Sequence, residues 1–262
     1  MALRLKGKNA LITGASDDAG RASALRFAAE GANVFLADRS SEVARSVAAE
    51  VAAAGRTSGA IGVDVSQEEQ VDRMVERAVS ELGGIDILMV ADAVMHARYP
   101  GGKNPGYKLV DEPLADWRRV FSYNLDAYFL TDRAAARAMI KAGRGGRIIN
   151  YLSVAALMAA PGAGDYSVSR AGAWMLTKVL ALELASHKIR VNAIAPGYLN
   201  SNMSREYYSG APGRLEAVKK RVPLGRIAEI DEIADVALFL AGDESSYITG
   251  QIMQPNGGLL MQ

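Results

Sequence analysis

The strongest constraint on how this 262-residue chain can fold is its alternation of short apolar runs with longer alanine-rich amphipathic ones. Asn9-Ala10-Leu11-Ile12-Thr13 is followed by a helical stretch from about Ala19 to Glu30, then by Asn33-Val34-Phe35-Leu36-Ala37 ending in Asp38. A helix over about Ser41–Ala54, a strand near Gly59–Val63 and a helix near Glu68–Leu82 come next, and then the run Ile85-Asp86-Ile87-Leu88-Met89-Val90. The second half continues with a long helix over Leu114–Ala142, the strand Arg147–Tyr151 and a helix over Asp165–Ser186. The strand Ile189–Ile194, a helix near Ile230–Ala241 and a strand near Gln251–Met253 complete the pattern. The strand runs are apolar at nearly every position, as in a parallel sheet covered on both faces. The expected fold is α/β: a Rossmann-like doubly wound parallel sheet with helices on both faces. No repeat or linker divides the chain, so one domain over residues 1–262 is expected.

Half of the residues are hydrophobic, and the net charge of +1 comes with no basic block, which gives no case for nucleic acid or a membrane surface. Cysteine is absent, which excludes disulfides and thiolate chemistry. His96 and His187 have no ligand-spaced partners, so no metal site is expected. The start, Met1-Ala2-Leu3-Arg4-Leu5-Lys6-Gly7-Lys8, has no apolar core of a signal peptide, and no apolar run reaches membrane-spanning length. A cytoplasmic enzyme is the expectation. Two irregular stretches, Ala91–Val110 and Pro196–Arg214, follow strand ends, where sheets of this class bind ligands. They are expected to form a pocket wall and a lid for a small, partly apolar molecule.

The chemistry-bearing residues are ordered along the chain. They are Thr13-Gly14 with Gly20, Asp64-Val65, Asn124, Ser153, Tyr166, Pro196-Gly197, and a tail from Pro223-Leu224-Gly225-Arg226 to Gly257-Gly258. On these residues the chain resembles the short-chain dehydrogenase/reductase family over essentially its whole length. The resemblance implies a nicotinamide dinucleotide site, and Asp38 would suit an adenosine ribose and favour NAD over NADP.

Three positions depart from that pattern. The middle glycine of the loop is Asp18, preceded by Asp17. Carboxylates there repel phosphate and can cap the helix themselves. Asp92 follows the fourth strand, where an Asn is common in relatives; by itself it reads as a strand-end residue. Arg170 stands three residues beyond Tyr166, where dehydrogenases carry Lys. Arg keeps the charge but does not deprotonate, and its planar fork suits a carboxylate.

Together the departures resemble the haloalcohol dehalogenases, a non-redox branch of the fold with Ser, Tyr and Arg at these spacings. That resemblance implies a catalytic set of Ser153, Tyr166, Arg170 and Asp92, with Asp92 supporting Arg170. It also implies a halide pocket from Pro196, Gly197, Tyr198, Leu199 and Tyr207, and no cofactor. Tyr166 would act as base on a vicinal haloalcohol, giving an epoxide and a halide, with small anions opening epoxides in reverse. An unperturbed tyrosine titrates near ~10, so a shift of ~2–3 units would be needed. At the position of Asp18 that branch carries an aromatic residue. The alternative is an NAD-dependent oxidoreductase using Gly14, Gly20, Asp38, Asp64 and Asn124 for the cofactor. Resemblance further implies a homo-oligomer, a dimer or tetramer built on the two long helices.

Overall fold

The structure, a computed structural model, describes residues 3–93, 108–159, 162–210 and 212–261. Among these residues seven strands form one parallel sheet: β1 (Asn9–Thr13), β2 (Asn33–Asp38), β3 (Ser58–Gly62), β4 (Ile87–Val90), β5 (Gly146–Tyr151), β6 (Ile189–Ile194) and β7 (Ile252–Met253). Their order across the sheet is β3-β2-β1-β4-β5-β6-β7, and every pair is parallel. The strand order reverses between β1 and β4, so a crevice opens at their C-terminal ends.

Successive strand residues feed opposite cores, the period-2 rule of a pleated strand. Ala10 and Ile12 of β1, Val34 and Leu36 of β2, and Ile87 and Met89 of β4 pack on one face. Leu11, Phe35, Ala37, Leu88 and Val90 pack on the other. The first face is covered by α1 (Asp18–Ala29), α2 (Ser41–Ala53) and α9 (Ile230–Ala241). The second is covered by α3 (Glu68–Leu82), α5 (Ala127–Ala142) and α6 (Gly164–Leu184). The α/β doubly wound expectation therefore holds.

Two stretches differ from the sequence reading by more than a residue or two at an element's end. The long helix expected over Leu114–Ala142 is α4 (Leu114–Phe121), a π-helical stretch over Ser122–Asp126, and α5. Widening the helix there accompanies the complete burial of Asn124, whose amide donates to Ser169 Oγ on α6 at 3.4 Å. Such π-bulges recur at functional positions. The stretch Pro196–Arg214 is not irregular throughout, for it contains α7 (Asn202–Ser209), and α8 (Arg214–Arg221) follows. Of the other stretch, Ala91–Val110, residues 94–107 lie outside the described residues, and His96 with them. Among the described residues no helix is long and apolar enough to cross a membrane.

Candidate active site

The strand ends at the crevice divide into an outer half, on β1, β2 and β3, and an inner half, on β4, β5 and α6. In the outer half, Gly14 has φ +73°, and a Cβ on it would lie 2.8 Å from the Ala91 carbonyl carbon. A Cβ on Gly20 would lie 2.2 Å from the Gly14 carbonyl oxygen. Both glycines are therefore required by backbone packing between β1, α1 and the end of β4. Asp18 is the first residue of α1 and is half-buried. Its carboxylate accepts from the Asn202 backbone N–H at 2.6 Å and from the Asn202 side-chain amide at 2.8 Å, so it caps α7. Asp17 caps α1, accepting from Ala19 N–H at 2.9 Å.

Asp38 ends β2, buried, and accepts from Ser16 N–H at 2.7 Å and Ser40 N–H at 2.9 Å. Asp64 accepts from the Tyr123 hydroxyl at 3.0 Å and from Arg39 at 3.2 Å, and the Arg39 guanidinium lies 4.6 Å from the Tyr123 ring centre. Gly14, Asp17, Asp38, Asp64, Asp92 and Tyr123 all line one open cleft.

The inner half is built around a buried cation. Tyr166 and Arg170 lie one turn apart on α6, on the same face. The Arg170 guanidinium sits 5.1 Å from the Tyr166 ring centre, and Arg170 is 0% exposed. Its Nη1 donates to the Tyr128 hydroxyl at 2.9 Å. Burial works against the charge, but the Tyr128 and Tyr166 oxygens outweigh it and raise the Arg170 pKa, so the group stays cationic. Nε and Nη2 of Arg170 are buried without a hydrogen-bond partner. Ser153 follows β5, extended, and its Oγ accepts from Ala155 N–H at 3.2 Å.

The expected support of Arg170 by Asp92 is not formed. No hydrogen bond or ion pair joins the Asp92 carboxyl to Arg170, and Asp92 Oδ2 is buried without a partner. Burial pushes the Asp92 carboxyl up to about 7; the Thr13 hydroxyl offsets this in part, while the charges of Asp38 and Asp17 add to it. A group so placed lacks the cation that would hold it ionised.

The segment expected to form a halide pocket is tied largely to its own surroundings. The Pro196 carbonyl accepts from Val154 N–H at 3.1 Å, and Gly197 packs against Asn256. The Tyr198 hydroxyl accepts from Arg221 Nη1 at 3.0 Å, while Leu199 is buried and its carbonyl accepts from the Tyr208 hydroxyl at 3.1 Å. Tyr207 lies in α7, its side chain outside the described residues.

Sequence comparison extends this picture. The family described as enoyl-(acyl carrier protein) reductase matches residues 14–260. The 3-oxoacyl-[acyl-carrier-protein] reductase FabG of Thermotoga maritima is 37% identical, over 99% of this chain and 100% of its own. The chain belongs to the short-chain dehydrogenase/reductase superfamily. Another member, 3beta-hydroxysteroid dehydrogenase 1 of Eggerthella lenta, is 36% identical over 98% of this chain and 95% of its own. A short-chain dehydrogenase/reductase from Mycobacterium marinum superposes with a TM-score of 0.89 at 36% identity, covering 100% of this chain and 98% of its own. A candidate 2-deoxy-d-gluconate 3-dehydrogenase from Agrobacterium tumefaciens, solved with bound NADP, gives 0.87 at 30% identity, covering 100% of this chain and 99% of its own.

These similarities correct the non-redox reading. The similar members of the superfamily are named as reductases and dehydrogenases along the full chain, which overturns the carbon–halide lyase activity and the expectation that no cofactor is used. The structure supplies the physical reason the departures misled. Asp18 is spent on Asn202, and Arg170 takes a phenol, not Asp92, as its partner.

Sequence reasoning missed Tyr128. It lies four residues after Asn124 in an alanine-rich helix, and that spacing on a face already marked by a buried polar residue is the signal available.

Proposed function

We propose that this protein is an NAD(H)-dependent oxidoreductase that interconverts an alcohol and its carbonyl compound. The observation that carries the reading is the buried Arg170 cation, with two unused N–H-bearing nitrogens, beside Tyr166 on α6, on the same sheet as a cleft lined by Gly14, Asp38 and Asp64. Unpaired buried donors are costly and call for an acceptor, which ribose hydroxyls or a substrate oxygen would supply. The residues present therefore fit a dinucleotide: Gly14 and Gly20 shape the loop, Asp38 and Asp64 face the adenosine side, and Asn124 ties the π-bulge to α6.

A bound nicotinamide supplies or takes up the hydride. Tyr166 exchanges the proton at the substrate oxygen, and Ser153 donates a hydrogen bond to that oxygen. Arg170 stabilises negative charge on the Tyr166 oxygen but, always protonated, passes on no proton itself. Asp92 closes the cleft beside them. Pro196, Gly197 and Tyr198 contribute the substrate side, which their apolar and aromatic character suits to a small, partly apolar molecule.

Asp38 favours NAD, because its carboxylate would repel a 2′-phosphate by about 4 kcal/mol at ~4 Å and an effective dielectric of ~20. Arg39, the nearby cation, is engaged by Asp64 and Tyr123. A homo-oligomer is supported by the exposed apolar stripe Val168, Met175, Val179 and Leu182 along α6.

Calorimetric titration of nucleotide-free protein tests the reading. Micromolar NAD(H) binding is expected, with NADP(H) weaker by about tenfold or more. No heat from either dinucleotide up to millimolar concentration overturns it. Tyr166→Phe should bind NAD(H) as the parent does and lose turnover by about 10³-fold.

A further inference from the structure

We infer that Tyr128 is a positioning residue of the active site: its hydroxyl holds the Arg170 guanidinium and locks the ends of β4 and β5 to it. The inference deepens the oxidoreductase reading and rests on it for the use to which Arg170 is put.

The geometry is that of a hub. Tyr128 is fully buried, and its hydroxyl accepts from Arg170 Nη1 at 2.9 Å. The same hydroxyl lies 2.9 Å from the Asp92 carbonyl oxygen and within hydrogen-bond distance of the Tyr151 carbonyl oxygen, and it donates its one proton between them. Asp92 lies just past the end of β4. Tyr151 is the last residue of β5, two before Ser153. Arg170 is one turn beyond Tyr166. One oxygen thus joins the segments that carry Asp92, Ser153 and Tyr166. The Arg170 guanidinium also lies 5.3 Å from the Tyr128 ring centre, so ring and hydroxyl both restrain it.

The choice of a phenol has a physical consequence. A carboxylate partner would hold Arg170 more strongly but would neutralise much of its charge. A neutral acceptor fixes the guanidinium and leaves its charge to act on Tyr166. Burial pushes the Tyr128 phenol well above its ordinary value, so it stays protonated and keeps donating to the two carbonyls. Donation polarises the oxygen and improves it as an acceptor for Nη1.

The test uses the full chain and two readouts. Nitrogen-15 NMR of arginine-labelled protein, with Arg170 assigned by its absence in Arg170→Lys, reports the guanidinium directly. Wild type should show slowed rotation about Nε–Cζ and an Overhauser contact between the Nη protons and the Tyr128 ring. Tyr128→Phe should lose the slowed rotation. A freely rotating Arg170 in wild type, or slowed rotation retained in Tyr128→Phe, overturns the inference. The wild-type measurement decides the matter if Tyr128→Phe does not fold.

The second readout is NAD⁺ affinity in a double-mutant cycle. Tyr128→Phe should weaken NAD⁺ about tenfold with Arg170 present and less than about twofold in Arg170→Met, since a hydrogen bond to a charged group is lost only in the first background. Equal losses in both backgrounds mark a merely structural tyrosine and overturn the inference. A wild type that binds no NAD⁺ overturns the oxidoreductase reading instead, and the NMR result still decides Tyr128.

Discussion

Both halves of the crevice carry a charge where a different residue was expected, and they accommodate it in opposite ways. In the outer half Asp18 stands partly exposed and turns away from the loop to cap α7 through Asn202. In the inner half Arg170 is withdrawn from water and given an aromatic enclosure with one hydroxyl acceptor. A surface charge needs little from its neighbours, because water and any nearby dipole will do. A buried charge commits its surroundings, and several kcal/mol of desolvation must be met by specific partners. The outer substitution is therefore a local adjustment, while the inner one has reshaped its site. Asp92, at the border of the two halves, is half-buried with one oxygen enclosed and unpaired, so it too is costly to ionise.

Replacing Arg170 by Met should separate stability from function most sharply. A buried ion exchanged for an apolar side chain of similar size often leaves stability unchanged or raises it. Melting should shift by no more than the equivalent of about 1 kcal/mol downward, while turnover falls by at least about a hundredfold through loss of the charge beside Tyr166. Unfolding of Arg170→Met by calorimetry at a much lower temperature would show that the guanidinium serves the fold, and the contrast between the halves would fail.

Asp92→Asn should show a pH-dependent gain. The Asp92 carboxyl titrates near 7 in the folded protein against 3.8 ordinarily, so the native state holds the extra proton between those values. Wild-type stability then falls as pH rises through that window, by on the order of 2–4 kcal/mol. Asn removes the penalty, so chemical denaturation should find the variant more stable than wild type at pH 8 and nearly equal to it at pH 4. A pH-independent difference would mean that Asp92 is paired in solution.

The smallest effect is expected in the outer half. Asp18→Asn removes one negative charge at the first turn of α1, where the helix end favours anions. NAD⁺ affinity should tighten about two- to fivefold, with melting nearly unchanged, because the exposed cap on α7 is worth little. A tightening of a hundredfold would show that Asp18 faces the phosphates, and would erase the difference between the two halves.

Much of this site follows from short-range pattern. Tyr166 and Arg170 are four residues apart on one helix, so their proximity is a property of the helix itself. Gly14 and Gly20 mark a tight turn into a helix, and Asp38 marks the end of an apolar strand. The break in the helix at Asn124 was not legible, because the residues on both sides carry an uninterrupted helical pattern. What each departure does was not legible either. Asp17 and Asp18 are adjacent acids in the sequence, yet one caps α1 and the other caps α7.

Sequence alone determined the sheet, its two apolar faces, and the residues that can do chemistry at its C-terminal edge. These depend on periodicity and on neighbours within a turn or a strand. Only the tertiary structure decided the partners of the unusual charges. Asp18 meets Asn202 across 184 positions and Arg170 meets Tyr128 across 42, contacts made by folding the sheet and carried by no local pattern. For an ionisable group, the partner and the burial set the charge it keeps and what that charge can reach.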